Sequence, residues 1–234
     1  MRRRGSYAAG RARREQILET ATLHFARNGY YATSLSDIAR DLEISIGGLM
    51  HHFPTKQDLL AALADRRISL LIQYAGDEPS EDYLWFWRSR VEMAQRMVEK
   101  PGLIELFVVV AFVGADPASP VHERYRTRYE GAAEYGARFY RQGVESGLFR
   151  PDIDCVGLAR QGMAITDGFQ LQWALSHGGI DLPAVIKEFF EQQLSLIVTP
   201  GHEIDLTPRP KTRRKVGGPQ PVGGPNPKTE SAKP

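Results

Sequence analysis

The chain has one cysteine, Cys155, in 234 residues, so it can close no disulfide within itself, and that economy suits a reducing compartment. It lacks any apolar run long enough to cross a bilayer. The longest, Leu106 to Val113, falls far short of the roughly 20 residues that a spanning helix needs. Arg2, Arg3 and Arg4 look like the start of an export signal, but the apolar stretch that should follow is missing. These absences predict a cytoplasmic protein. Alternating apolar and polar runs bounded by hairpin turns are also missing, which leaves an all-α fold. No Gly-rich phosphate loop and no nucleophile motif occurs, and His24, His51, His52, His122, His177 and His202 lack metal-ligand spacing. The expectation is a protein that is not an enzyme and needs no cofactor or metal. A redox role for Cys155 is opposed by Asp152 and Asp154, whose charges disfavour a thiolate.

Acidic residues are missing from one place in particular. Residues 1–14 hold six arginines and no acid, residues 15–198 hold 17 basic and 25 acidic side chains, and residues 199–234 hold seven basic and three acidic. The net charge of +2 therefore conceals a basic arm on an acidic body. Such a chain meets a polyanion through the arm and its adjoining helices only, unless the arm is simply a solvated tail. From Thr199 onward proline, glycine and lysine replace apolar periodicity, and VGGPQP at 216–221 is followed by VGGPNP at 222–227. That composition predicts a tail that does not pack. The predicted organisation is a disordered basic arm (1–12), an N-terminal helical unit (13–74), a C-terminal helical body (75–198) and a disordered tail (199–234). At 42% hydrophobic content, one core or two small ones can be buried.

Residues 34–53, SLSDIARDLEISIGGLMHHF, carry two short helical patterns around a tight turn. Ser34 with Asp37 makes a capping pair, Leu35, Ile38 and Leu42 point inward, and Ala39 allows a second helix to approach closely. Glu43 and Ile44 form the turn. Ser45 caps the second helix, whose Leu49 and Phe53 face the first and leave Ile46, Gly47, Met50 and His51 outward, as in a reader of the DNA major groove. A helix over about Arg13 to Asn28 supports the pair through Ile17, Leu18, Ala21 and Phe25, with Gly29 placed to end it. After Pro54, Thr55 and Asp58 cap a fourth helix that continues through Leu59, Leu60 and Leu63 toward Tyr74.

The body offers helices near 81–99, 103–115, 119–147, 154–177 and 182–198, separated by Pro101-Gly102, Asp116-Pro117, Gly147 to Pro151 and Gly178-Gly179. The helix from Leu103 is apolar on nearly every side and is expected to run through the middle of the body. Glu105 on it either occupies an exposed first turn, where its charge suits the helix dipole, or serves a ligand. The last helices carry two apolar stripes each, such as Val185, Phe189 and Leu196 beside Ile186, Phe190, Leu194 and Ile197.

These residues resemble the tetracycline-repressor (TetR) family of bacterial transcriptional regulators. The resemblance is strongest from Arg13 to about Leu60: FARNGYYATS, then DIA, then S-x-G-x-L-x-x-H-F over Ser45 to Phe53, then Thr55, Lys56 and Leu59. It implies an N-terminal helix-turn-helix DNA-binding domain and a C-terminal domain for ligand binding and dimerisation. By resemblance, Thr33, Ser34 and Lys56 contact phosphates, and Arg13, Arg14, Ser45, Ile46, Gly47, Gly48, Met50 and His51 complete the DNA face. The chain departs from the family where Ile46 and Met50 replace the usual polar residue and tyrosine, which leaves apolar atoms that can touch thymine methyl groups. Glu43 stands where glycine is common, at a cost of roughly 1 to 2 kcal/mol if the turn is left-handed. Gly47-Gly48 either permits closer approach to DNA or is tolerated near a helix start.

The resemblance also implies a small, largely apolar effector whose binding lowers DNA affinity. Trp87, Arg90, Phe107, His122, Tyr125, Phe169, Gln170 and Trp173 are its candidate contacts. The family forms dimers through its last two helices, here near 154–177 and 182–198, and DGFQLQWAL from Asp167 to Leu175 looks like the C-terminal motif of one subgroup. A homodimer on a palindromic double-stranded operator follows. A repressor is the expectation. Two alternatives remain: an activator, or an architectural DNA-binding protein that ignores effectors.

Overall fold

The computed structural model describes residues 3–75 and 82–208. The Gly76 to Pro79 break, the VGGP repeats and the Arg213-Arg214-Lys215 cluster lie outside them. Within the described residues the chain folds into nine helices: α1 (Arg3–Ala32), α2 (Leu35–Asp41), α3 (Ile46–His52), α4 (Lys56–Ala75), α5 (Trp85–Val98), α6 (Leu103–Gly114), α7 (His122–Glu145), α8 (Cys155–Leu175) and α9 (Leu182–Ser195). The β-type pairing among these residues is an isolated bridge between Phe149 and Val198.

Local chemistry sets most boundaries. Ser34 and Asp37 form a complete capping box on α2, with Asp37 N–H donating to Ser34 Oγ at 3.1 Å. Ser45 Oγ accepts from Gly48 N–H at 3.1 Å and starts α3. Between them Glu43 adopts φ 53°, so the turn is left-handed at a non-glycine residue. Thr55 Oγ1 accepts from Asp58 N–H at 3.0 Å and opens α4. Asp154 and Asp181 do the same for α8 and α9, accepting from Gly157 and Ala184 N–H at 2.9 and 3.1 Å. Gly29, at φ 75°, breaks the regular geometry of α1 as expected.

The two ends differ from the sequence reading. Residues 3–12 are helical and continue into α1, in place of a disordered arm. No proline interrupts this stretch, and its alanines and arginines are strong helix formers, so the helix already nucleated by Ile17 and Leu18 propagates backward. At the other end, residues 199–208 pack onto the body instead of starting the tail. Leu206 is fully buried, its N–H donates to Glu191 Oε1 at 3.1 Å, and Arg88 donates to the Asp205 carbonyl at 2.8 and 3.0 Å. A leucine that buries its whole side chain gains about 1.5 to 3 kcal/mol, enough to hold a short segment against proline and glycine composition.

Two apolar cores result. One joins Ile17, Leu18, Ala21 and Phe25 of α1 to Ile38, Leu49, Phe53, Leu59, Leu60 and Leu63 of the following three helices. The other gathers Trp87, Val91, Met97, Tyr140, Phe149, Ile186, Phe190 and Leu194 in the body. The sequence reading placed α6 in the middle of the body, where it does touch α4, α5, α7 and α8, but it also packs on α1 and so serves both cores. Leu103 and Ile104 enter the body core, Leu106, Val110 and Val113 enter the N-terminal core, and Phe112 stands 73% exposed. Its all-round apolarity is divided between two cores because the helix packs extensively on α1. Glu105 sits in its first turn partly buried, with Oε2 enclosed and unpaired, and so is not at the exposed position preferred from sequence.

Close packing of α7 against the loop after it yields a stability test. A Cβ at Gly143 falls 2.1 Å from the Phe149 ring, whereas one at Gly131, on the same helix, meets nothing within 4 Å. Gly143→Ala is expected to lose about 1 to 3 kcal/mol of stability through overpacking. Gly131→Ala is expected to gain up to about 1 kcal/mol. Urea unfolding of the two variants reads both signs.

Candidate nucleic-acid interface and interior cavity

The N-terminal core fixes α2 and α3 as a helix-turn-helix pair. Ala39 is 2% exposed at their crossing, and Leu49 and Phe53 are buried while Ile46 and Met50 stand 42% and 45% exposed. Gly47, Gly48 and His51 are exposed beside them. His24 Nε2 on α1 lies 2.8 Å from Asp41 Oδ2 at the end of α2, tying the pair to its support. The basic end of α1 reaches the far end of α3. Arg14 lies over the Phe53 ring at 4.9 Å, and burial, then His51, Arg14 and Arg13, hold the His52 pKa below its ordinary value. Arg13 and Arg14 therefore bring positive charge beside His51 and His52 at the exposed end of the helix pair.

Of the residues expected to touch phosphate, Thr33 is turned into the protein and Lys56 lies partly against it. Thr33 is 2% exposed, and its hydroxyl donates to the Gly29 carbonyl at 2.9 Å, with the His24 carbonyl at 3.2 Å. Its side chain therefore closes α1 onto α2, because the residue that leaves a helix break must pair that break's free carbonyls. Lys56 is half-buried, donates to the Tyr31 carbonyl at 3.3 Å and lies 4.5 Å from the centre of the Tyr30 ring. Burial lowers its pKa. Ser34 remains exposed, with its hydroxyl engaged by Asp37.

In the body, α4, α5, α6, α7, α8 and α9 enclose a cavity of about 130 Å³. Its apolar wall includes Met93, Met97, Phe107, Met163 and Phe190, and its polar groups are Arg67, Arg90, Arg128, Tyr129, Asp167 and Gln170. Arg67 is 3% exposed, donates to Gln170 Oε1 at 2.9 Å and stacks 4.4 Å from the Phe107 centroid. Arg90 lies 4.9 Å from the Phe86 centroid, and its Nη2 donates to Ser89 Oγ at 3.3 Å. Desolvation lowers both guanidinium pKa values, to about 10 for Arg90. Tyr129 donates to Asp167 Oδ2 at 2.6 Å. Burial raises the pKa of each, more than the hydrogen bond and the nearby arginines lower that of Asp167.

Of the effector contacts expected from sequence, Arg90, Phe107 and Gln170 line this cavity. The others are placed elsewhere. Trp87 is fully buried in the body core and donates to Tyr140 Oη at 3.2 Å. His122 Nδ1 donates to the Gly114 carbonyl at 2.9 Å and fastens the end of α6 to the start of α7. Tyr125 is buried beside Arg67, just off the cavity wall, and Phe169 and Trp173 pack on the outer side of the body core. Aromatic residues are first of all good core material, and that is where most of these went. Tyr129, one of the aromatic residues that the sequence offers as pocket wall, also lines it, whereas Arg67, Arg128 and Asp167 were not among the candidates. A visible signal existed for Arg67: it falls four residues after Leu63 on the apolar stripe of α4, where a cation needs a reason to be buried.

Residues 17–63 match the family model described as bacterial regulatory proteins, tetR family. The chain is similar to that family, most closely over this N-terminal unit. It is 25% identical over 198 residues to the HTH-type transcriptional repressor KstR2 of Mycobacterium tuberculosis (strain ATCC 25618 / H37Rv), spanning 80% of this chain and 92% of that one. Its fold is similar to that of a TetR transcription regulator from Haloarcula marismortui ATCC 43049, with a TM-score of 0.69 at 18% identity over 80% of this chain and 98% of that one. A putative transcriptional regulator from Saccharomonospora viridis in complex with choline gives 0.67 at 24% identity over 80% and 98%. The TetR-family match and the exposed helix pair make this a DNA-binding transcriptional regulator with an N-terminal helix-turn-helix unit.

Within this TetR-family head, glycine at 47 can now be tested separately from its neighbour. A Cβ at Gly48 meets Ser45 Oγ at 3.2 Å and so disturbs the cap, but one at Gly47 meets nothing within 4 Å. Gly47→Leu is expected to keep or raise the thermal midpoint, since leucine is a better helix former. The same change is expected to weaken specific DNA binding at least tenfold by adding bulk at the groove, read by fluorescence anisotropy. Arg13→Gln is expected to weaken specific and random DNA binding alike and to reduce the slope of log affinity against log salt by about 0.9, the value of one phosphate contact.

Proposed function

We propose that this regulator is a cytoplasmic, homodimeric repressor that sits on a palindromic operator and is released when a small-molecule effector enters the cavity of the body. The observation that carries this reading is the path of α4. Its first half supplies Leu59, Leu60, Leu63 and Ala64 to the core that holds the DNA-reading pair, and three residues later Arg67 forms part of the cavity wall. Arg66 ties the same helix to Glu15 and Glu19 of α1 at 3.1 Å each. A ligand that favours one position of Arg67 therefore favours one position of the head. An effector shifts the population only by its differential affinity for the two positions, so release requires that it prefer the one that misfits the operator.

Dimerisation is supported by apolar surface on the last two helices. Leu171 and Leu175 of α8 are 43% and 72% exposed, and Leu196 at the end of α9 is 74% exposed. Large apolar side chains left in water on adjacent helices fit a second copy, as in the four-helix interfaces of the family. KstR2, described as a repressor, favours that sign over activation. The cationic cavity wall fits an effector of a different kind from the choline held by the Saccharomonospora viridis protein, because three arginines repel a quaternary ammonium.

Binding of the full-length protein to the DNA that flanks its own gene tests the reading, by anisotropy at two salt concentrations with random DNA as control. A dimer bound to a short palindrome, tighter than random DNA by a factor of at least 10³, is the expected result. Equal and steeply salt-dependent binding to both DNAs would overturn it in favour of an architectural role. Leu175→Glu is expected to yield a monomer by sedimentation and to lose operator binding at concentrations where the parent is saturated.

A further inference from the structure

The polar side of the cavity is short of negative charge. Arg67, Arg90 and Arg128 face it, from α4, α5 and α7, against one carboxylate, Asp167. Asp167 is already engaged by the Tyr129 hydroxyl at 2.6 Å. Arg67 and Arg90 donate to the neutral oxygens of Gln170 and Ser89, with the Tyr125 hydroxyl beside Arg67, and among the described residues no carboxylate forms an ion pair with either, Asp167 attracting Arg67 only from farther off. The Nε atom of each is buried without a hydrogen-bond partner. Arg90 is enclosed by protein yet keeps accessible surface, as a side chain does when it opens onto an interior space. Arg128 lies near enough to depress the pKa of both other arginines, so the three charges belong to one region of the wall.

A buried guanidinium with an unpaired N–H invites an anion of planar fork geometry. We propose that the cavity binds an organic monocarboxylate, its acid group held by Arg67, Arg90 and Arg128 and its apolar body lying among Met93, Met97, Phe107 and Phe190. This names the chemical class of the effector and so rests on the reading above that the cavity is the effector site. A monoanion suits this water-poor wall better than a dianion, because the cost of desolvating an ion grows with the square of its charge, and Asp167 on the same cavity adds repulsion. The size agrees with a compact body. An apolar cavity of about 150 Å³ holds a benzene ring, so about 130 Å³ accepts one ring or a chain of similar bulk. Met93, Met97 and Met163 give the wall freedom to lengthen, since unbranched thioether side chains repack readily.

The test measures binding to full-length protein without DNA, by isothermal titration, so that it stands apart from operator release. The probes are hexanoate, octanoate, dodecanoate and 3-phenylpropanoate, each beside its primary amide, with octyl phosphate as a dianionic control. At least one acid is expected to bind at least tenfold more tightly than its amide and than octyl phosphate. Arg90→Met and Arg67→Met are expected to lose at least tenfold in affinity for that acid and to leave amide binding unchanged. Amides binding as tightly as acids, no acid binding, or preference for octyl phosphate would each overturn the proposal. The acid-to-amide comparison on the parent protein decides even if a variant fails to fold. Acid binding that leaves operator affinity unaltered would retain the monocarboxylate site and overturn only the release reading.

Discussion

Apolar burial shared along α4 and α6 is the constraint on which the other arrangements rest. Each helix gives part of its surface to the core under the DNA-reading pair and part to the wall or core of the body. Close-packed interiors do not deform smoothly, so a displacement that one core accepts must be repacked by the other. The short α2 and α3 could not persist alone, since helices of seven residues are far below the length that is stable in water. They exist because α1 and the first half of α4 complete a core in which Ile38, Leu49 and Phe53 can be hidden.

Buried charge is the cost that accompanies this arrangement. Desolvating a guanidinium is expensive, and a neutral amide or hydroxyl repays it only in part. Arg67 and Arg90 also rest on the faces of Phe107 and Phe86, which supply quadrupole attraction without requiring an acid in the core. Arg88 shows the contrasting solution in the same body. It is 4% exposed, but Asp82 and the Asp205 carbonyl surround it, so its donors are spent on structure. The difference between a structural arginine and one held ready for something else is visible in these partners.

Much of this was readable in the order of residues, for identifiable reasons. Caps at Ser34, Ser45 and Thr55 are local: the hydroxyl, the backbone N–H and the carboxylate that answers it lie within four residues, so no knowledge of the rest of the chain is needed. The inward positions Ile17, Leu18, Ala21 and Phe25 follow from the period of one helix. Glu43 was legible as a turn between two helices, and only the family's usual glycine there hinted at its left-handed backbone. Long-range partners were not legible. Thr33 turns inward because Gly29 leaves a carbonyl to be paired, and Trp87 joins the core because Tyr140, more than fifty residues away, receives its N–H. Polar aromatic segments give no indication of which of their rings will meet a void and which will meet another helix. The extent of α1 and of the segment after Val198 was misjudged for the opposite reason: composition suggested solvent, whereas a growing helix and a single leucine found surfaces to use.

The segment from Thr199 to Leu206 also alters what counts as the end of the folded unit. A truncation placed at Val198, where apolar periodicity stops, would take Leu206 out of the body core, free Glu191 of α9 from its N–H, and leave Arg88 of α5 with half its partners. The damage would register as a loss of solubility or of cooperative melting, far from the reading head, and could be mistaken for evidence that the basic residues beyond act on DNA. Cutting after residue 208 separates the two questions, because it leaves Asp205 and Leu206 seated.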